Sequence, residues 1–410
     1  MAVEDTFGFH LATPPGVGGV ALFELYGAGV EASLSRLFRA AAGLPGDGRQ
    51  RLGALVDLEG RDVDEVVIGR IPPEGMWCRL AAWTLGVHGG SWVQRRVGEV
   101  LEAAGGARWS RRDVLVRAIE SGALDAVEAA AFEELIQART EGAAAFFSRQ
   151  YQGELSRALQ GILDLAVPGR PPPADRREGA RRLRELVLGA GSVARLGQPL
   201  RLLIAGRPNS GKSTLFNALV ERERVIVSEQ RGTTRDFIRE TVAIGDWAVE
   251  LADSVGLRSS PEDPVEREAV ERLWREEADA VLYLVAPPWK LADEELSFVA
   301  RFPPETVLQV ANFTDRGRPA DAARFAVEIS GLRREGLDRL REAIRERWLG
   351  PADSPLSAAP FTARQLELLE TALGSWESAD ETTPLDALRE PLIICLGSSW
   401  PLTNDARETP

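Results

Sequence analysis

Apolar positions of two different periods divide the chain into four stretches. Over residues 1–112, β-like runs (VALFEL, DEVVIGRI) alternate with segments of helical period (EASLSRLFRAAAG, VQRRVGEVLEAAG), which predicts an α/β domain. Residues 113–197 read as helices. RRDVLVRAIESG leads into a long Ala-, Glu-, Leu- and Arg-rich run, and ARRLRELVLGAG follows the proline-rich VPGRPPPADRREG, which must interrupt any continuous helix. From 198 to 350 the two periods alternate: RLLIA, STLFNALVE, WAVELAD, AVERLWREEA, AVLYLVA, EELSFVARF, TVLQVAN, AVEIS, LDRLREAIRERW. That order predicts a parallel sheet covered by helices. Residues 351–410 hold one clear helix, ARQLELLETALGSW, and then a weakly patterned tail.

The third stretch carries the chemistry. Gly206-Arg207-Pro208-Asn209-Ser210-Gly211-Lys212-Ser213 fits G-x-x-x-x-G-K-[ST] between a strand and a helix-forming run. Its glycines let backbone amides face phosphates, and the helix start adds favourable electrostatics. Lys212 reaches the β- and γ-phosphates, Ser213 can ligate magnesium, and Thr214 stands next to them. Further on, Gly232-Thr233-Thr234-Arg235-Asp236 offers a switch-loop threonine for the magnesium shell. Asp253-Ser254-Val255-Gly256 closes the strand WAVELA as a D-x-x-G element, with Asp253 holding magnesium through water and the Gly256 amide reading the γ-phosphate. A plain glycine turn would explain the first motif alone. It does not explain all three in this order.

The segment LQVANFTDRG then bears on the base. Asn312 and Asp315 follow a strand as in the Asn-Lys-x-Asp loop of GTP-binding proteins, and Ser330-Gly331-Leu332 follows AVEI where a third base-contacting loop belongs. An ionised Asp is acceptor-only and suits the N1-H and 2-amino donors of guanine, a pair that adenine lacks. Phe313 occupies the lysine position; it can stack on a base but brings no charge. The reading is an altered guanine site, with an ordinary loop as the alternative. Leu257 stands where Ras-like switches place the water-orienting Gln, so hydrolysis is either slow or served by another group.

Composition limits the partners. A formal net charge of −13 argues against a broad basic surface gripping nucleic acid, although a local patch or a partner can still hold RNA. Two cysteines, Cys78 and Cys395, and two histidines, His10 and His88, leave little for a zinc site or a disulfide framework, which suits a cytoplasmic location. MAVEDTFGFH has no basic-then-apolar pattern, so no secretory signal is expected, and no run is long enough to span a membrane. Of 49 basic residues only Lys212 and Lys290 are lysines. A chain that uses Arg almost everywhere needs an ammonium where it keeps Lys.

Taken with Ala12-Thr13-Pro14-Pro15-Gly16-Val17-Gly18-Gly19-Val20, His88-Gly89-Gly90 and Arg117-Ala118-Ile119-Glu120-Ser121-Gly122-Ala123-Leu124-Asp125, these motifs resemble the MnmE (TrmE) family of tRNA-modifying GTPases over most of the chain. The resemblance implies a P-loop, Ras-like GTPase domain (198–350) inserted in a helical domain (113–197 and a shortened 351–410). It also implies an N-terminal folate-binding-like α/β domain (1–112) that makes a homodimer. It implies GTP, magnesium at Ser213 and Thr234, and potassium held by Asn209, Ser228, Gln230 and Thr233 where other GTPases use an arginine finger. Glu266, in Val265-Glu266-Arg267, matches the family's general base; read alone it is a solvated glutamate at a helix start. A flavoprotein partner and tRNA, contacted indirectly, complete the implied set.

Departures from the family concentrate at the ends. Its folate contacts, an Arg, a Glu and a Lys, align with Glu24, Leu80 and Ala123, so a folate carboxylate finds no basic partner and no family-type folate binding is expected. The family's terminal Cys-x-Gly-Lys is matched only by Cys395-Leu396-Gly397-Ser398, with more residues after it, and a buried structural cysteine is an equal reading. His88 reads as a turn or core residue. Two functions follow: a potassium-assisted GTP hydrolase in modification of tRNA wobble uridines, or a diverged paralogue that keeps a GTP-dependent dimeric switch without the folate chemistry.

Overall fold

The computed structural model describes residues 7–14, 16–166, 173–193, 195–223, 239–253, 278–350, 358–379 and 383–397. They form two compact units, one made of the residues up to Ala129 together with Leu396 and Gly397, the other running from Ala130 to Cys395.

In the first unit the chain forms β1 (Phe7–Leu11), β2 (Val20–Tyr26), α1 (Val30–Leu37), β3 (Phe38–Arg39), β4 (Gln50–Val56), β5 (Asp62–Ile71), β6 (Ala82–His88), α2 (Ser91–Ala103), β7 (Gly106–Arg108) and α3 (Arg111–Glu120). The sheet order is β3-β4-β5-β6-β2-β1-β7, with β1 and β7 parallel and the other pairs antiparallel. Alternation in VALFELY buries Ala21, Phe23 and Leu25 in one cluster with Leu34 and Leu37 of α1 and Val97, Val100 and Leu101 of α2. The helix expected over EASLSRLFRAAAG stops at Leu37, because Phe38 and Arg39 pair with Leu55 and Ala54 instead. Ser110 and Asp113 close a capping box that starts α3.

The long helical run divides into α4 (Ala126–Leu135), α5 (Glu141–Tyr151), α6 (Glu154–Leu163) and α7 (Pro173–Val193). The last begins inside the proline-rich stretch, where a residue without an N–H is tolerated in the first turn. Then follow β8 (Leu200–Gly206), α8 (Lys212–Glu223), β9 (Arg239–Ile244), β10 (Trp247–Asp253), β11 (Ala280–Val285), α9 (Asp293–Val299), β12 (Val307–Ala311), β13 (Val327–Glu328) and α10 (Leu337–Ile344). Their sheet order is β13-β12-β11-β8-β10-β9, parallel except for β9 against β10. Leu202, Ile204, Leu282, Leu284 and Val310 fill one face, and Leu203, Ala205, Val281, Tyr283 and Ala311 the other. Strands buried on both sides are what a parallel sheet requires.

After the sheet come α11 (Ala363–Ser378) and α12 (Leu385–Leu396). α11 packs on α7: Arg184 pairs with Glu377, and the Trp376 ring lies so close to Gly179 that a Cβ there would meet it at 1.9 Å. α12 lies in the tail that reads as weakly patterned. Pro391 interrupts its sequence signal, yet Leu388, Leu392 and Cys395 share a buried stripe, and Leu388 O accepts from Trp376 Nε1. No helix among the described residues is long and apolar enough to cross a membrane.

Candidate nucleotide-binding site

β8, β11 and β12 end at one edge of the sheet, and the loops that follow them converge there, as ligand loops do in open parallel sheets. β8 runs into the Gly206–Lys212 loop, and α8 starts at Lys212, so that its first-turn amides open toward the loop. Gly211 has φ +91°, and a Cβ on it would lie 2.3 Å from Asn312 Nδ2. Only glycine fits there. Asn209 also sits in the left-handed region, at φ 65°, and is exposed on the loop. Lys212 is buried at 7% exposure, and its Nζ donates to Gly206 O (2.9 Å) and Arg207 O (2.8 Å). The ammonium is thus held across the loop by backbone carbonyls. Ser213 is half-buried in the first turn and Thr214 is exposed beside it.

Asn312 ties three loops together. It follows β12, is 1% exposed, donates from Nδ2 to Ser210 O (2.8 Å) and accepts at Oδ1 from Gly331 N (3.2 Å). Its side chain bridges the phosphate loop and the Ser330-Gly331-Leu332 loop, and satisfies buried backbone groups of both. Asp315 Oδ1 accepts from Ser330 Oγ at 2.7 Å. That hydrogen bond, helped by Arg333 and Arg316 and opposed by partial burial, holds the Asp315 carboxyl below the usual range, so it is an acceptor at neutral pH. Leu332 is exposed at the tip of the third loop. Ser210 Oγ is buried with no hydrogen-bond partner among the described residues.

Three neighbours escape a reading by motif. Trp289, after β11, donates from Nε1 to Asn312 O (2.9 Å) and lays its ring against Gly317. Glu295 of α9 is buried, accepts from Tyr283 Oη, and faces Arg207 of the phosphate loop at 3.7 Å. Arg316 covers the Phe313 ring at 4.6 Å from its centroid. The one available signal was Trp289 itself, a large aromatic just past a strand that ends at the ligand edge. Ser228, Gln230, Thr233, Thr234, Gly256, Leu257 and Glu266 lie outside the described residues; Asp253 ends β10, and its side chain also lies outside them.

Residues 201–312 match the family model described as 50S ribosome-binding GTPase. The tRNA modification GTPase MnmE of Thermus thermophilus is 34% identical over 404 residues, covering 90% of this chain and 88% of that protein. The chain belongs to the MnmE family of tRNA modification GTPases. The Aquifex aeolicus MnmE is 30% identical over 360 residues, 82% of this chain and 80% of its own. Among solved structures, the G domain of the T. maritima FeoB iron transporter is similar over 37% of this chain and 99% of its own, at 22% identity and a TM-score of 0.28. As a member of the MnmE family, the chain is a GTP-hydrolysing enzyme that uses GTP with magnesium, built on a P-loop GTPase domain in a mixed α/β and helical fold.

Glu24, Leu80 and Ala123, read as the positions of the family's folate contacts, lie in the first unit. Glu24 on β2 is buried at 6% exposure and accepts from Tyr26 Oη and from Trp77 Nε1 (3.0 Å). Burial, then Cys78 and Glu24, push the Tyr26 pKa up, so its hydroxyl remains a donor. Leu80 is half-buried, and Ala123 O receives Arg79 Nη1, which also pairs with Glu128. His88, expected in a turn or core, ends β6 exposed; Asp64 takes its Nδ1 at 2.7 Å and raises its pKa. Cys395 is buried at 4% exposure in α12.

Proposed function

We propose that this chain hydrolyses GTP with potassium assistance in a tRNA-modification role, reading guanine through Asp315 and holding the phosphates on the Gly206–Ser213 loop. The observation that carries the reading is Asn312, buried between Ser210 O and Gly331 N, which assembles the phosphate and base loops into one site. Ser213 and Thr234, with Asp253 through water, hold magnesium; Asn209, Ser228, Gln230 and Thr233 hold potassium; Glu266 orients the attacking water where Leu257 cannot. Thr214, Gly256 and Leu332 complete the nucleotide contacts. The GTPase domain is inserted in a helical domain, a reading supported by α7 and α11 packing together from either side of it. The N-terminal unit acts in homodimerisation, and a flavoprotein partner brings tRNA.

Folate is not part of this reading, because a buried Glu24 held by Tyr26 and Trp77 would face the folate glutamyl group with like charge. That same observation favours the second reading, a paralogue that works as a GTP-dependent dimeric switch without folate chemistry. The test is turnover of GTP, ATP and xanthosine triphosphate by the wild type and Asp315→Asn, in potassium and in sodium. Potassium-dependent GTP turnover, transferred to the xanthine nucleotide by Asp315→Asn, is expected, because an Asn amide donates to the 2-oxo group where Asp accepts from the 2-amino group. Equal turnover of GTP and ATP by the wild type would refute the guanine reading.

A further inference from the structure

A lysine at position 313 would bring a cation to the base and the phosphate loop together; Phe313 cannot, yet a cation from three residues on, Arg316, lies over its ring. Phe313 has φ 64° and ψ 37°, a left-handed conformation that L-residues adopt only when the surroundings hold them there. This turn aims the ring at the phosphate loop, with Cζ 3.3 Å from where a Cβ on Gly211 would sit. The short turn Thr314–Arg316 closes with Arg316 N donating to Phe313 O at 2.9 Å, and lays the Arg316 guanidinium over the ring at 4.6 Å from its centroid. Arg316 is exposed. Its charge thus lies on the ring face, and it also acts on the neighbouring Asp315 carboxylate. Trp289 braces this turn from behind, through Asn312 O and Gly317.

We propose that Phe313 and Arg316 act as one unit, a cation-capped aromatic plate that binds the purine and ribose of the nucleotide in place of the missing lysine. The inference rests on the guanine-site reading above. If Asp315 pairs with the guanine edge, the base plane passes beside the side chain of residue 313, where the plate offers a flat surface and a positive charge. Guanidinium and aromatic faces accept any purine. The plate thus sets affinity, and Asp315 sets base choice.

The experiment is a double-mutant cycle on the full chain, read as the affinity for fluorescent GDP and GTP of the wild type, Arg316→Gln, Phe313→Lys and the double variant. Arg316→Gln is expected to weaken both nucleotides about fivefold, within the range of a partly desolvated cation–π contact, and to have an effect under twofold once residue 313 is Lys. An unchanged affinity in Arg316→Gln, or an equal loss in both backgrounds, would overturn the plate, the second result meaning that Arg316 acts only as a general charge. Unfolding curves without nucleotide should superimpose for wild type and Arg316→Gln, since the side chain is exposed; a loss of affinity that tracked a loss of stability would also overturn it. Asp315→Asn is run in parallel: if it fails to transfer preference to the xanthine nucleotide, the guanine reading has failed, whereas transfer with no effect at Arg316 rejects the plate alone.

Discussion

Replacing Asn312 by Ala should loosen the site without touching the phosphate motif itself. The wild-type side chain is 1% exposed and makes two hydrogen bonds to backbone, one to Ser210 O and one from Gly331 N. A typical hydrogen bond contributes about 0.5–1.5 kcal/mol net, and a buried group left without a partner costs about 1–3 kcal/mol. Alanine strands both Ser210 O and Gly331 N, so the loss is about 2–6 kcal/mol, and it falls to the low end of that range if water enters the space. Part of that loss destabilises the free protein, and the rest is spent reordering the loops when nucleotide binds, at tenfold in affinity for each ~1.4 kcal/mol. Asn312→Asp is the sharper companion. It keeps an acceptor for Gly331 N but sets a carboxylate against the Ser210 carbonyl, and it should be at least as damaging. The assay pairs urea unfolding of the free protein with titration of a fluorescent guanine nucleotide. If Asn312→Ala unfolds at the wild-type midpoint and binds GTP within twofold of wild type, the bridging role assigned to Asn312 is wrong.

Gly211→Ala should abolish nucleotide binding in the same titration, because a Cβ would meet Asn312 Nδ2 at 2.3 Å and the backbone there has φ +91°; binding within tenfold of wild type would contradict the packing. Glu24→Ala should destabilise the first unit by about 1–3 kcal/mol, since Tyr26 Oη and Trp77 Nε1 lose a shared acceptor. Glu24→Gln should lose less in the same denaturant series, because it retains one acceptor, and equal losses would contradict that role. Ser330→Ala should make GTP affinity more sensitive to acid. The Asp315 pKa is depressed by the Ser330 hydroxyl, so its ionised form and the stability it brings persist above the ordinary carboxylate value and vanish as pH falls through the lowered one. Without Ser330 Oγ the fall should begin at a higher pH, measured by titrating affinity from about pH 6 to 4.

Local chemistry made much of this protein legible before any coordinates. The strand, glycine loop and helix from Leu200 to Glu223 follow from a buried apolar run, residues able to take positive φ, and a helix start, all of which act over a few residues. The alternation after residue 198 led to a sheet whose pairs are parallel except at β9 and β10. Asn312 and Asp315 read as a guanine-type loop even with Phe313 between them, and both side chains bond to the Ser330-Gly331 loop. Local pattern failed where a neighbour overrode it. The helix over EASLSRLFRAAAG ended early because Phe38 found a strand to pair with, β13 shrank to Val327–Glu328, and α12 formed through Pro391 because Leu388, Leu392 and Cys395 had a core to enter.

What only the tertiary structure decided are the contacts between loops far apart in sequence. The Asn312–Ser210 bond joins residues 102 positions apart, and it exists because β8, β11 and β12 end at the same edge of one sheet. Trp289 under the base loop, the Arg316 guanidinium over Phe313, and Glu24 held by Tyr26 and Trp77 are of the same kind. Composition and periodicity specify which face of an element is buried. They do not specify which side chain on another element will meet it, because that depends on strand order, register and backbone turns settled only when the whole sheet has assembled.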